Sequence, residues 1–191
     1  MFDRVFSKNP LLKPVFFIIT IILVLDQVTK VLARIYLQPV YSIPILGDFF
    51  RLTYVENPGI AFGLRINNKV FFTVLSIIAV IVIFYYLFLL KEHPLLRFSF
   101  ALILGGAFGN LIDRFLFGRV VDFFDFEFFN IHIPEFSILF IQFNGYQMNR
   151  WPVFNIADIA VTIGMVLIIY NAIFDRKHQK IFQTDDTPQN N

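Results

Sequence analysis

The sequence predicts a mainly α-helical membrane protein: four transmembrane helices, a small extracytoplasmic β-sheet and an interfacial loop, in one integral-membrane domain over 1–191. Three observations predict it. The chain is 57% hydrophobic and only 16% charged, with a mean hydropathy of +0.68, whereas soluble domains are ~25% charged. Phenylalanine alone supplies 27 of the 191 residues. Four apolar segments are each long enough to cross ~30 Å of hydrocarbon at ~1.5 Å per residue.

The first span, about 15–37, follows Pro14 as VFFIITIILVL and then DQVTKVLARIYL. Basic residues precede it, but no small-x-small cleavage site follows Leu25, so a retained helix is expected rather than a removed leader. The second span, 70–90, is free of charge, the third, 98–117, turns polar near its end, and the fourth, 153–174, contains Asp158, with Pro152 suited to its first turn. Lys and Arg cluster in both tails (Arg4, Lys8, Lys13; Arg176, Lys177, Lys180) and in the KEHPLLR link. That bias places both termini in the cytoplasm and the loops 38–69 and 118–152 outside. In the first loop, YSIPILGDFFRLTYVENPG alternates like strands around a Gly47-Asp48 turn. In the second, the Phe-rich 124–150 stretch is too interrupted for a span and reads as interfacial strands or a short amphipathic piece. The tail, about 181–191, is polar and expected to be disordered.

Ionisable residues inside spans cost ~2.5–3.5 kcal/mol each on insertion scales, so each is a functional candidate. Asp26, Lys30 and Arg34 share one face of span one at a spacing of four. They read either as a structural ion pair or as part of a site. Asn110, Asp113, Arg114 and Phe117 share a face of span three, while Gly105, Gly106 and Gly109 suit close helix packing. Asn155, Asp158 and Thr162 recur on span four. Counted along each helix at ~1.5 Å per residue, these polar groups fall at one level in the outer half of the bilayer, with Asp122 just beyond span three.

Cysteine is absent, which removes disulfides, a thiol nucleophile and thiolate metal sites. A net charge of +2, spread along the chain, gives nucleic-acid binding no support. No GxSxG, HExxH or Walker loop is present, and His93, His132 and His178 lie outside the polar layer. What remains is carboxylates in a low-dielectric site. Two held close share a proton and can activate water without metal or cofactor. Spacing alone leaves open whether Asp113 or Asp122 partners Asp158. A small transporter or proton channel built on the buried Asp, Lys and Arg is the alternative reading.

The motifs DQVTK (26–30), NPGIAF (57–62), GGAFGNLIDR (105–114), VVDF (120–123) and FNIAD (154–158) occur in this order. In them the chain resembles the lipoprotein signal peptidases, also called signal peptidase II, across about 15–175. The resemblance implies a bacterial inner-membrane aspartyl endopeptidase that cuts a prolipoprotein signal peptide just before the diacylglyceryl-modified cysteine and is inhibited by globomycin. It implies Asp122 and Asp158 as the catalytic pair, with Asp113 as architecture. It also implies Asp26, Lys30, Asn57, Gly59, Asn110, Arg114, Asn155 and Ala157 as residues that shape or line the site. Within that reading, Asn57 would donate to the substrate backbone and Gly59 would allow its close approach. The expected partners are prolipoprotein signal peptides, membrane lipids and globomycin-type inhibitors, and the expected state is a monomer. The 124–150 stretch is longer than the family usually carries there.

Overall fold

A computed structural model describes residues 12–59, 69–89, 93–128, 131–133, 136–138, 141–143 and 146–174. Helix α1 (Leu12–Leu32) continues through a π-helical turn, Ala33–Leu37. Strands β1 (Ser42–Leu46) and β2 (Phe50–Asn57) form an antiparallel hairpin, with Gly47 at φ 55° in its turn. Helices α2 (Lys69–Leu89) and α3 (Pro94–Phe117) lead into β3 (Val120–Phe126), and α4 is Ile156–Phe174. Between β3 and α4, β4 (Ile131–Ile133) pairs with β7 (Tyr146–Met148), and β5 (Phe136–Ile138) pairs with β6 (Ile141–Phe143). The Phe-rich stretch therefore folds back on itself as nested ribbons. The basic residues Arg4, Lys8, Lys91, Arg176, Lys177 and Lys180 and the 181–191 tail lie outside the described residues, as does the rest of NPGIAF after Gly59.

Lys13–Leu37, Pro94–Phe117 and Ile156–Phe174 are each long and apolar enough to cross a membrane, and α2 contributes the apolar stretch Thr73–Leu87. The helices are turned inside out relative to a soluble bundle. Large apolar side chains such as Phe17, Val70, Ile81 and Ile169 are exposed, while Asp26, Lys30 and Asp113 are fully buried. Helix α3 is central and packs against α1, α2 and α4. Half of its apolar stretch is buried, against 17% for α1 and α4. Small residues make this possible. A Cβ on Gly105 would lie 2.9 Å from the Ile22 Cβ, one on Gly106 would strike the Ala157 carbonyl of α4, and one on Gly109 would strike the Asp26 carboxylate of α1. With lipid on the outside, such packing supplies much of the association energy.

Three helix starts differ from the sequence reading by three residues or more, the first being α1, which begins at Leu12 rather than 15. Helix α3 begins at Pro94, four residues before the expected 98, because proline suits the first helical position. Helix α4 begins at Ile156, not 153, and Pro152 lies outside it. The reason is that Phe154 pairs with β3 and Asn155 is the residue that caps the helix.

The sheet also recruits a strand from the second loop. Its order is β1-β2-β3, so the two long loops are joined by backbone pairing. Gly118, at φ 75°, closes α3 with its N–H on the Arg114 carbonyl and turns the chain into β3. Ala33 and Leu37 from the π-helical turn pack with Tyr54, Val121 and Phe123, seating the sheet on the end of the bundle.

Candidate active site

The site begins on α1. Asp26 and Lys30, one turn apart and both fully buried, pair at 2.8 Å. Neither is left to the other alone, which is what makes a buried pair tolerable. The second bond of the Asp26 carboxylate, from Oδ1, accepts the Ala157 N–H at 3.0 Å. Ala157 is in the first turn of α4, where N–H groups have no partner within the helix. Gln27 donates both to Asp26 and to the Gly109 carbonyl, each at 3.1 Å. Lys30 Nζ donates to Asn110 Oδ1 at 2.8 Å and lies 3.7 Å from Asp113. Asp113 in turn accepts the Val121 N–H at 3.0 Å and faces Arg34 at 3.1 Å. The Arg34 guanidinium lies 4.1 Å from the centre of the Phe117 ring. The ion pair of the sequence reading is real, and it reaches across helices to hold α4 and the start of β3.

The second part is the sheet. Strand β2 pairs Leu52 with Phe124 but Val55 with Asp122, so it carries one extra residue between them. In a strand, one residue of slip exchanges the two faces. Without that bulge, Asn57 and Asp122 would sit on opposite faces. With it, Asn57 is opposite Val120 and diagonal to Asp122 on one face, and its Nδ2 donates to Asp122 Oδ2 at 3.1 Å. Asn57 Oδ1 accepts the Gly59 N–H at 2.9 Å, an Asx turn around Pro58. Gly59 is buried at φ 111°, a conformation that side chains rarely adopt. One N–H of the Asn57 amide is thus engaged with Asp122, and Gly59 supplies the left-handed backbone that closes the turn.

The third part is the start of α4. Asn155 Oδ1 accepts the Asp158 N–H at 3.0 Å, and Asp158 Oδ2 accepts the Asn155 N–H at 3.1 Å. This is a reciprocal capping box built from Asn and Asp. The remaining donor of Asn155 then joins the two carboxyls. Its Nδ2 lies 2.6 Å from Asp122 Oδ1 and within 3.3 Å of Asn110 Oδ1 and the Val121 carbonyl. Asn110 Nδ2 donates to Asp158 Oδ1 at 2.9 Å. Phe154 fixes the register just before this cap. Its carbonyl accepts from the Phe123 and Phe124 N–H groups, and its own N–H donates to the Phe124 carbonyl.

Amides of Asn57, Asn110 and Asn155 thus supply hydrogen bonds to the Asp122 and Asp158 carboxyls. Arg114, which feels the charges of Asp122 and Asp158, donates to Ser76 of α2 at 3.2 Å, so it ties α3 to α2. Burial, and next the charge of Asp158, push the Asp122 carboxyl up to about 7, against the Asn57 and Asn155 amides and the Lys30 charge. Burial and the Asp158 charge thus favour the protonated form of Asp122 near neutral pH. Among the described residues, no cluster of three or more His, Asp or Glu is placed to hold a metal ion.

The structure brings together all ten residues singled out from the sequence except Arg114, which joins the group through charge alone. Thr162, at the expected helical spacing, is exposed and takes no part. Sequence reasoning missed Gln27, the Phe154 pairing and the Arg150 clamp. Arg150 Nε donates to the buried Asp125 at 2.6 Å, and Thr53 donates to the same carboxylate at 2.6 Å. This pins the end of the nested ribbons to β3. The N-x-x-D spacing of FNIAD was the available signal for the cap; nothing local marks Arg150.

A family model described as "Signal peptidase (SPase) II" matches residues 18–174. The lipoprotein signal peptidase of Moorella thermoacetica is 40% identical over 167 residues, covering 87% of this chain and 97% of that one. The lipoprotein signal peptidase of Caldanaerobacter subterraneus subsp. tengcongensis is 42% identical over 157 residues, covering 82% and 94%. A solved structure described as a bacterial membrane enzyme, at 1.9 Å resolution by the in meso method, superposes with a TM-score of 0.66. It is 30% identical and covers 85% of this chain and 94% of that one. A second, at 2.3 Å, gives 0.62 at 26% identity with 94% of each covered. These matches lend nothing to the transporter reading.

Proposed function

The chain belongs to the signal peptidase II family, and on that premise we propose that it removes the signal peptide of diacylglyceryl-modified prolipoproteins with Asp122 and Asp158 as its catalytic pair. One observation carries the assignment: the single side chain of Asn155 binds Asp122 Oδ1 at 2.6 Å and caps Asp158 at 3.0 Å. Because burial and the Asp158 charge push Asp122 up to about 7, we assign Asp122 the role of acid and Asp158 that of base. Asp158 takes a proton from the attacking water as the oxygen–carbon bond forms. Asp122 gives its proton to the scissile carbonyl oxygen, producing a neutral tetrahedral diol. Collapse returns that hydroxyl proton to Asp122, and the departing amine takes the proton held by Asp158.

In this reading all four helices span the bacterial inner membrane, both termini are cytoplasmic, and the dyad lies near the outer surface in a monomeric, single-domain protein. Globomycin-type inhibitors and membrane lipids are its further ligands. The Lys and Arg bias supports the orientation. An alkaline-phosphatase fusion after Lys180 should be inactive, and activity there would overturn the four-span topology.

The decisive experiment is cleavage of a diacylglyceryl-modified prolipoprotein. Asp122→Asn and Asp158→Asn should each abolish it while the protein still inserts and still binds a globomycin-type inhibitor. The double variant should be little worse than either single one, because residues that act as a unit are not additive. Near wild-type cleavage by Asp122→Asn would sink the assignment and make Asp113 the leading candidate.

A further inference from the structure

A polar cavity of about 150 Å³ lies beneath the sheet at the ends of α1 and α3. Arg34, Gln38, Tyr54, Glu56, Phe117 and Arg119 line it together with Val121, the neighbour of Asp122, and none of the side-chain amides that hold Asp122 and Asp158 does. Its size is well below the ~300–1,000 Å³ of sites that enclose drug-sized ligands, so it suits a compact group whose remainder stays outside.

Its chemistry is that of an anion site. Arg34 and Arg119 face it, each paired through one terminal nitrogen with a single carboxylate, Asp113 at 3.1 Å and Glu56 at 3.0 Å, so further N–H groups of both guanidinium ions are left for a ligand. Glu56 is itself engaged a second time, accepting the Tyr54 hydroxyl at 2.9 Å. Arg34 is oriented from behind by Asp113 at 3.1 Å and from the side by the Phe117 ring. Preorganised planar donors of this kind match phosphate oxygens. The surroundings specify what the phosphate is attached to. The cavity sits where the apolar stretches Lys13–Leu37 and Pro94–Phe117 end. Next to it, Ile35, Tyr36, Phe115 and Leu116 are exposed, Phe115 by 78%. A ligand here has its anionic end against two arginines and its other end against hydrocarbon-facing side chains. Basic pockets between membrane helices bind lipid headgroups in this way.

We infer that the Arg34–Arg119 cavity is a headgroup site for an anionic phospholipid of the sheet-side leaflet, held through its phosphodiester and separate from the carboxyl pair. The ligand also meets the support of that pair. Arg34 contacts Asp113, which holds the Val121 N–H at the start of the strand carrying Asp122.

The test is binding to the full-length protein in detergent, read by native mass spectrometry, and it is independent of cleavage. The probes are short-chain phosphatidylglycerol, short-chain phosphatidylcholine and inorganic phosphate. Phosphatidylglycerol should bind in preference to both. Arg119 is 59% exposed, so Arg119→Gln should fold normally and weaken phosphatidylglycerol about tenfold, the loss expected for one charge-assisted contact. Arg34→Gln with Arg119→Gln should remove the preference, and Arg51→Gln, on β2 beside Asp48, should leave it intact. Unchanged binding by Arg119→Gln, or equal binding of the two lipids, would overturn the site. Inorganic phosphate binding as tightly as phosphatidylglycerol would overturn its assignment to a lipid.

Discussion

Asn155→Ala separates the two tasks that one side chain performs. The substitution removes the cap on the Asp158 N–H, worth ~1 kcal/mol. It also leaves the buried Asp122 Oδ1 without its 2.6 Å donor, at ~1–3 kcal/mol. Together these cost roughly 2–4 kcal/mol of stability. For a chain of this size that lowers the thermal midpoint by roughly 5–15 °C. The chemistry should suffer more than the fold. A misplacement of ~1 Å in a reacting group costs ~100-fold in rate. The Asn155 amide also acts to lower the Asp122 pKa, so its loss should shift the basic limb of the pH–rate profile upward. Asn155→Ser keeps a capping oxygen but is too short to reach Asp122, so it should recover the ~1 kcal/mol of the cap without recovering the rate. The assay is single-turnover cleavage across pH, with thermal unfolding of the same preparations. Wild-type cleavage by Asn155→Ala with an unshifted profile would show that this side chain does not couple the two aspartates.

Because Asp122 is raised to about 7 in the fold from its ordinary 3.8, the folded state binds the extra proton and stability falls as pH rises between those values. The slope is ~1.4 kcal/mol per pH unit, so Asp122→Asn should gain stability over wild type from pH 5 to pH 7 in chemical unfolding, and a constant difference would refute it. Cleavage should decline above about pH 7 as the Asp122 proton is lost. Gly106→Ala drives a methyl into the Ala157 carbonyl and to 2.8 Å from Val161 Cγ2; backbone cannot give way, so a loss of ~1–3 kcal/mol with reduced cleavage is expected in unfolding and rate measurements. Asp113→Asn keeps an acceptor for the Val121 N–H but loses the charge facing Lys30 and Arg34, so single-turnover cleavage should be reduced yet measurable. Shortening the chain between Glu127 and Tyr146 should alter substrate affinity more than the single-turnover rate at saturation; a collapse of that rate with folding intact would place the ribbons in the catalytic site.

Whatever depends on neighbours within one helix or strand is legible in the sequence. Hydrophobic length marked the helices, and the Gly47-Asp48 turn marked the β1–β2 hairpin. A spacing of four put Asp26 beside Lys30, and their 2.8 Å pair depends only on the pitch of α1. Whatever depends on distances between elements arises only in the folded chain. Asp113 and Asp122 are equally plausible partners for Asp158 by spacing, but β3 folds back along β2, and Asn155 then reaches Asp122 while Asp113 turns toward Lys30 and Arg34. The bulge in β2 is the sharpest case. Nothing in LTYVEN announces it, yet that one extra residue exchanges the faces of the strand and brings Asn57 to Asp122. Residue type and helical period are local properties that a sequence carries openly. Register between strands is set by the packing of the sheet on the bundle, and it exists only once the chain has folded.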